Sequence, residues 1–415
     1  MPRLTSAKCF VVYEVVNNSL ERLLASFHAT AAAGEPAFLL ATPDGAVRAA
    51  LGEGDAPIRV GAMGYDGGGS FWRPAALLRA RIESDDTPRL SGASSASPMP
   101  LAPDGDAVPT AAWCEAVAAA LSAFESGRAR KVVLARHRTV DAPAGRAFDA
   151  VETWQALRRA NPGVSVFAVT VPGGVFVGAT PERLVAARRG ADGAIDMEAD
   201  ALAGTAPLSV SGDALLANPK ERAEHAAVVD GLCAALSPLV DPGSLEVPSG
   251  PTLRRLPTLW HLHTPLRARL RPGVTLIDVV LALHPTPAVG GTPREFATRF
   301  QRHHEAFDRG PYAGPVGFLD DSGDGLFVVG IRSALLSGAR ATLYGGCGLV
   351  VGSEAGAEWR ETSLKMETAG RCLRWVETPP GCRPTDTVGT PSAPEPGRLG
   401  AVAASTSVER KSVSP

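Results

Sequence analysis

The chain has 415 residues, 45% hydrophobic and 20% charged, with 41 lysines and arginines against 43 acidic residues. This supports a large buried core, as one α/β unit or two domains, and the near-zero net charge excludes an electrostatic footprint for nucleic acid or an anionic membrane. Six scattered cysteines with no CxxC pair exclude a disulfide scaffold and a structural zinc site.

The first residues, MPRLTSAKCFVVYEVV, lack a charged-then-apolar leader. No apolar run reaches the roughly 18 residues of a membrane span, so the expectation is a soluble cytoplasmic protein. Residues 84–109 are rich in Ser, Pro, Asp and Gly and read as a surface connection. Residues 111–126 (AAWCEAVAAALSAFES) suit a helix, and KVVLARHRTV directly after suits a strand. Lys131 opens that strand and shares a face with Val133 and Ala135. A lysine at a strand end ordinarily points to water; turned into a cleft it becomes a competent general base. VSVFAVTVPGGVFVGAT reads as a hairpin turning at Pro172-Gly173-Gly174. Glu182 follows it, either as a turn carboxylate or as a general acid facing the lysine.

Residues 219–236 (PKERAEHAAVVDGLCAAL) form a helix with Pro219 near its start. Glu221 and Glu224, three apart, share one face of it. His303-His304-Glu305 resembles a metal cluster, but neighbouring histidines do not share a helical face, so the group reads as surface. Tyr312 follows Asp308-Arg309-Gly310-Pro311 in a turn. GLFVVGIRSALL and RATLYGGCGLVV read as two strands. Arg332 lies inside the first, where a charge is costly unless paired, and its bland reading is a buried salt bridge. Gly345, Gly346 and Gly348 read as a tight turn after a strand, with N–H groups open to an anion. The final helix, from residue 353, carries Glu358 and Glu361 on one face and Lys365 one turn further on. Each ExxE pair alone reads as a solvated face. If the two helices meet, four carboxylates converge, which favours a hard divalent cation, Mg²⁺. From about residue 378 the composition cannot repay ordering entropy, and a disordered tail is expected. Strands arrive in adjacent pairs with helices between groups, which favours antiparallel sheets packed on helices.

An ordered series of segments runs along the chain: KVVLAR (131–136), FVGATPERLV (176–185), ALAGTA (201–206), KERAEH (220–225) and PTLWHL (257–262). HPTPAVGGTP (284–293), YAGPVGF (312–318), GIRSA (330–334), LYGGCGLV (343–350) and EWRETSLK (358–365) continue it. Over residues 111–376 the chain resembles the chorismate-utilising enzymes, and within them the isochorismate synthases of siderophore and menaquinone pathways. The first 110 residues match less, although GAMGYD (61–66) looks like the family's N-terminal strand. Thr180 stands where Ser is commoner, and Cys347 where Ala is usual.

The resemblance implies one monomeric α/β (α+β) unit over residues 1–377, with two stacked antiparallel sheets, flanking helices and a central cleft. It implies chorismate as the substrate. Lys131 then activates water for attack at C2, and Glu182 protonates the departing C4 hydroxyl. Mg²⁺ is held chiefly by Glu224 and Glu361, with Glu221 and Glu358 adjacent, and anchors the ring carboxylate. Tyr312, Arg332 and Lys365 hold carboxylates with the N–H groups of Gly346 and Gly348, while His261 and Thr205 line the pocket. The ammonia-using relatives lack the lysine at position 131. Salicylate synthases keep it and typically carry Thr where this chain has Ala288, so Ala288 favours isochorismate as the released product. Two alternatives stand beside this reading: a salicylate synthase, and a non-catalytic chorismate-binding protein.

Overall fold

Alternation along the strands feeds two cores at once. In the strand Ala37–Ala41, Phe38 and Leu40 enter one buried cluster while Ala37, Leu39 and Ala41 enter another. Ser165–Val171 repeats the division, with Phe167 and Val169 on one side and Val166 and Ala168 on the other. Strands apolar on both faces belong in the middle of a layered structure.

In the computed structural model, residues 11–14, 20–81, 97–98, 108–256 and 259–377 are described, all within one compact unit. Most of the 84–109 connection and all of the tail from 378 lie outside the described residues. Ten strands form one sheet and eight form a second. Every pairing within them is antiparallel except Val11–Glu14 with Pro74–Arg81. The inner faces stack: Phe38, Phe167 and Phe176 of the larger sheet share a cluster with Val185, Met197, Leu266 and Phe327 of the smaller. Helices Leu20–Ala32 and Ala150–Ala160 cover the outer face of the larger sheet through Leu24, Phe27, Trp154 and Leu157. None of the helices among the described residues is long and apolar enough to cross a membrane.

The helix Ala111–Glu125 starts where Thr110 accepts from the N–H of Trp113 at 3.2 Å. Pro219–Leu236 starts at its proline, with the Asn218 side chain capping Lys220 and Glu221. Three readings of the sequence need correction. GLFVVGIRSALL is not one strand: Gly325–Val329 belongs to the smaller sheet and Ser333–Ser337 to the larger, with Arg332 between them at φ 53°. The final helix stops at Gly370, and Arg374–Glu377 pairs as a strand with Arg146–Phe148. YGGCG is no turn; it lies within the strand Arg340–Leu349, paired along Lys131–Asp141.

Candidate active site

Lys131 has no exposed surface, and its Nζ donates to Glu224 Oε1 at 2.8 Å. The short strand Gly291–Thr292 pairs back over the start of the lysine strand, covering an end that would otherwise face water. On the neighbouring strand a Cβ at Gly348 would collide with the Glu224 carboxylate and the Lys131 side chain. A Cβ at Gly346 would come within 2.9 Å of the Tyr312 hydroxyl. These glycines therefore serve by the space they leave, and the expected N–H turn is absent because the strand runs straight through.

A side-chain bond links the two ExxE helices. Lys220 of the first donates to Glu358 of the second at 3.1 Å, and Glu358 is buried among core residues of its helix. Glu361 pairs with Lys365 at 2.6 Å, and Lys365 also donates to Gly346 O at 2.9 Å. Glu221 accepts from the N–H of Thr205 at 2.8 Å. Burial, then the Glu224 charge, pushes Glu221 up to about 7. Burial and Glu361 raise Glu358. Burial opposes ionisation of Glu361 too, but Lys365 beside it holds the group below its ordinary value. The solvated-face reading fails for both pairs. Among the described residues, no three His, Cys, Asp or Glu side chains are gathered as a closed metal cage. The carboxylates are instead turned onto lysines and a backbone N–H. Mutually repelling oxygen donors without a soft ligand among the four fit a hard cation such as Mg²⁺.

Glu182 is 3% exposed, with its N–H donating to Thr180 Oγ1 and its carbonyl accepting from Val329. Burial pushes its carboxyl up to about 8, against the opposing charge of Lys131 and with a contribution from Asp200. At neutral pH it therefore carries a proton to give. Asp200 was not singled out in the sequence; it is buried and paired with Arg183 at 2.8 Å and His263 at 3.1 Å.

Arg332 is 5% exposed, and among the described residues no carboxylate pairs with it, which overturns the structural salt-bridge reading. Its Nη2 lies 3.1 Å from His261 Nε2. Tyr312 stacks on Tyr344 with centroids 5.1 Å apart, and burial pushes its hydroxyl up to about 12, so it remains a donor. Glu182, Thr205, Glu224, His261, Ala288, Tyr312, Arg332, Gly346, Gly348 and Lys365 line one cavity.

A buried network behind the Ala288-Val289 wall was missed in the sequence. Arg309 pairs with Glu305 through two bonds and donates to Val289 O at 2.8 Å and Val133 O at 3.0 Å. Tyr65 closes it by donating to Gln301 at 2.8 Å. The i,i+4 spacing of Glu305 and Arg309 was the available signal. Glu305 is thus not surface, although His303 is exposed.

Two sheets close on a buried acid, a lysine and an arginine that has no carboxylate partner among the described residues. Residues 78–374 match the family described as chorismate binding enzyme, and the chain belongs to that family. It is 42% identical over 271 residues to the salicylate biosynthesis isochorismate synthase of Pseudomonas aeruginosa, covering 63% of this chain and 54% of that protein. The chain thus spans about half the length of that relative. A Mycobacterium tuberculosis protein provisionally named isochorismate synthase is 37% identical over 387 residues, 83% of this chain and 97% of its own. Among solved structures, a Bacillus anthracis protein provisionally named a 2,3-dihydroxybenzoate-specific isochorismate synthase superposes with a TM-score of 0.71. That pair is 28% identical and covers 85% of this chain and 99% of the other.

Proposed function

We propose that this chain is an isochorismate synthase, an isomerase that converts chorismate to isochorismate. The observation that carries the reading is a buried carboxyl, Glu182, lining one cavity with Glu224, the partner of the buried Lys131. Lys131, in its free-amine form, takes a proton from water as the oxygen bonds to C2. Both ring double bonds shift, from C1=C2 to C1=C6 and from C5=C6 to C4=C5, and the C4 hydroxyl leaves as water with the Glu182 proton. Atoms balance, and no redox partner is needed. Arg332, Tyr312 and Lys365 supply the positive and donor groups for the substrate's two carboxylates. A cytoplasmic setting fits the unpaired cysteines among the described residues.

Glu224 and Glu361, with Glu221 and Glu358 beside them, would hold Mg²⁺. When bound it would neutralise this carboxylate group and anchor the ring carboxylate. Glu224→Gln or Glu361→Gln is expected to weaken Mg²⁺ binding by about 100-fold or more, measured by calorimetry, and to remove most turnover. Full turnover in excess chelator would overturn the metal assignment.

The direct test of function is incubation with chorismate and Mg²⁺ followed by chromatographic separation. Isochorismate leaving intact is the expected product. Stoichiometric pyruvate with salicylate would make the chain a salicylate synthase, and no turnover would leave only binding. Pyruvate loss depends on how the enolpyvuryl arm is held over the ring, and Ala288 lines that cavity. Ala288→Thr, which adds a hydroxyl at the wall, is expected to raise pyruvate relative to isochorismate several-fold, on the order of the 10-fold that 1.4 kcal/mol gives. A lactate dehydrogenase-coupled assay reads it; an unchanged ratio places discrimination elsewhere.

A further inference from the structure

Gly204, at φ 79°, sits where the strand Ile195–Pro207 slips register against Leu259–Arg269, between Ala203 and Thr205. Bulges of this kind re-aim side chains beside active sites. Here Gly204 O comes 3.3 Å and Thr205 Oγ1 3.0 Å from the same atom, His261 Nδ1. On the opposite edge of the ring, Arg332 Nη2 lies 3.1 Å from Nε2.

A guanidinium has donors and no acceptor. Nε2 must therefore present its lone pair to Arg332, and the ring proton must sit on Nδ1, between the two oxygens. An imidazolium would aim an N–H at a cation. Burial, followed by the charges of Arg332 and Lys365, agrees with this by holding the imidazole well below its ordinary range. Arg332 has a left-handed backbone that is costly for a side chain of its size, and His261 is the one hydrogen-bond partner of its guanidinium among the described residues. The direction of an otherwise unpaired guanidinium thus depends on one acceptor.

We infer that His261 is a positioning residue, an uncharged Nδ1–H tautomer set by the Gly204 bulge, whose Nε2 lone pair aims Arg332 at a substrate carboxylate. The substrate's identity rests on the function proposed above; the tautomer does not.

The test has two arms on the full chain. In ¹⁵N-histidine-labelled, ligand-free protein, His261 (identified by its loss in His261→Gln) is expected to show a pyridine-type Nε2 and a pyrrole-type Nδ1 from pH 5.5 to 8.5. The opposite tautomer, or a ring that titrates in that window, would overturn the inference. In steady-state kinetics, His261→Leu removes the acceptor and is expected to raise KM for chorismate by about 10- to 100-fold, with kcat changing much less. His261→Gln can place Oε1 near the Nε2 position and is expected to recover most of that loss. Both variants losing kcat at unchanged KM would mean the ring acts on the reacting atoms, and the inference would fall. If the leucine variant does not fold, the tautomer measurement on the unmodified chain still decides. Absence of chorismate turnover in the unmodified chain would sink the function proposed above and leave the NMR result standing.

Discussion

Lys131→Ala is expected to lower the rate of isochorismate formation by about 10²- to 10⁴-fold, the usual contribution of a positioned general base. Chorismate should still bind, because Arg332, Tyr312 and Lys365 lie on other strands, turns and helices. The substitution also strips Glu224 of its partner, since the two share a 2.8 Å bond next to Gly348. A carboxylate left without its buried partner destabilises a fold by roughly 3–5 kcal/mol; Glu224 keeps some contact with solvent, so the loss here should fall below that range. Lys131→Ala combined with Glu224→Gln should therefore recover thermal stability without recovering rate. Chromatography of products, calorimetric chorismate binding and thermal melts separate these effects. A near-normal rate in Lys131→Ala would place the base elsewhere.

Glu182→Gln is expected to move two quantities in opposite directions. Turnover should fall by about 10²- to 10⁴-fold, since the amide cannot give a proton to the departing hydroxyl. Stability at alkaline pH should rise. The folded carboxyl titrates at about 8 against an ordinary 4.5, so between those values the folded state holds a proton that the unfolded chain has released. Stability therefore falls as pH rises through that window, by at most about 1.4 kcal/mol per pH unit, and the penalty is complete above it. Glutamine removes the titration. Its melting temperature relative to wild type should thus be higher at pH 9 than at pH 5, and wild-type activity should decline above about pH 8. An equal difference in melting temperature at both pH values would show that the carboxyl does not carry its proton in the folded state.

Local signals were legible where one segment decides its own conformation. The alanine-rich run 111–126, Pro219 near a helix start, and Pro172-Gly173-Gly174 between two apolar runs each mark an element that the structure contains. What escaped depends on distant neighbours. GLFVVGIRSALL is apolar throughout, and composition does not reveal that its halves join different sheets. The glycines of YGGCG look like a turn because their true cause, the Lys131–Glu224 pair and Tyr312, comes from segments far away in the chain. The ExxE spacing placed its carboxylates on shared faces but not their partners. Lys220, reaching across to Glu358, sits beside Glu221 in the sequence and was passed over.

The crossing at Arg332 carries one more consequence. Gly325–Val329 ends in one layer and Ser333–Ser337 begins in the other, so this guanidinium is bolted to both by three residues of backbone or fewer. A carboxylate seated on it acts as a rivet through the sandwich. Any load on that side chain would be shared at once by both layers.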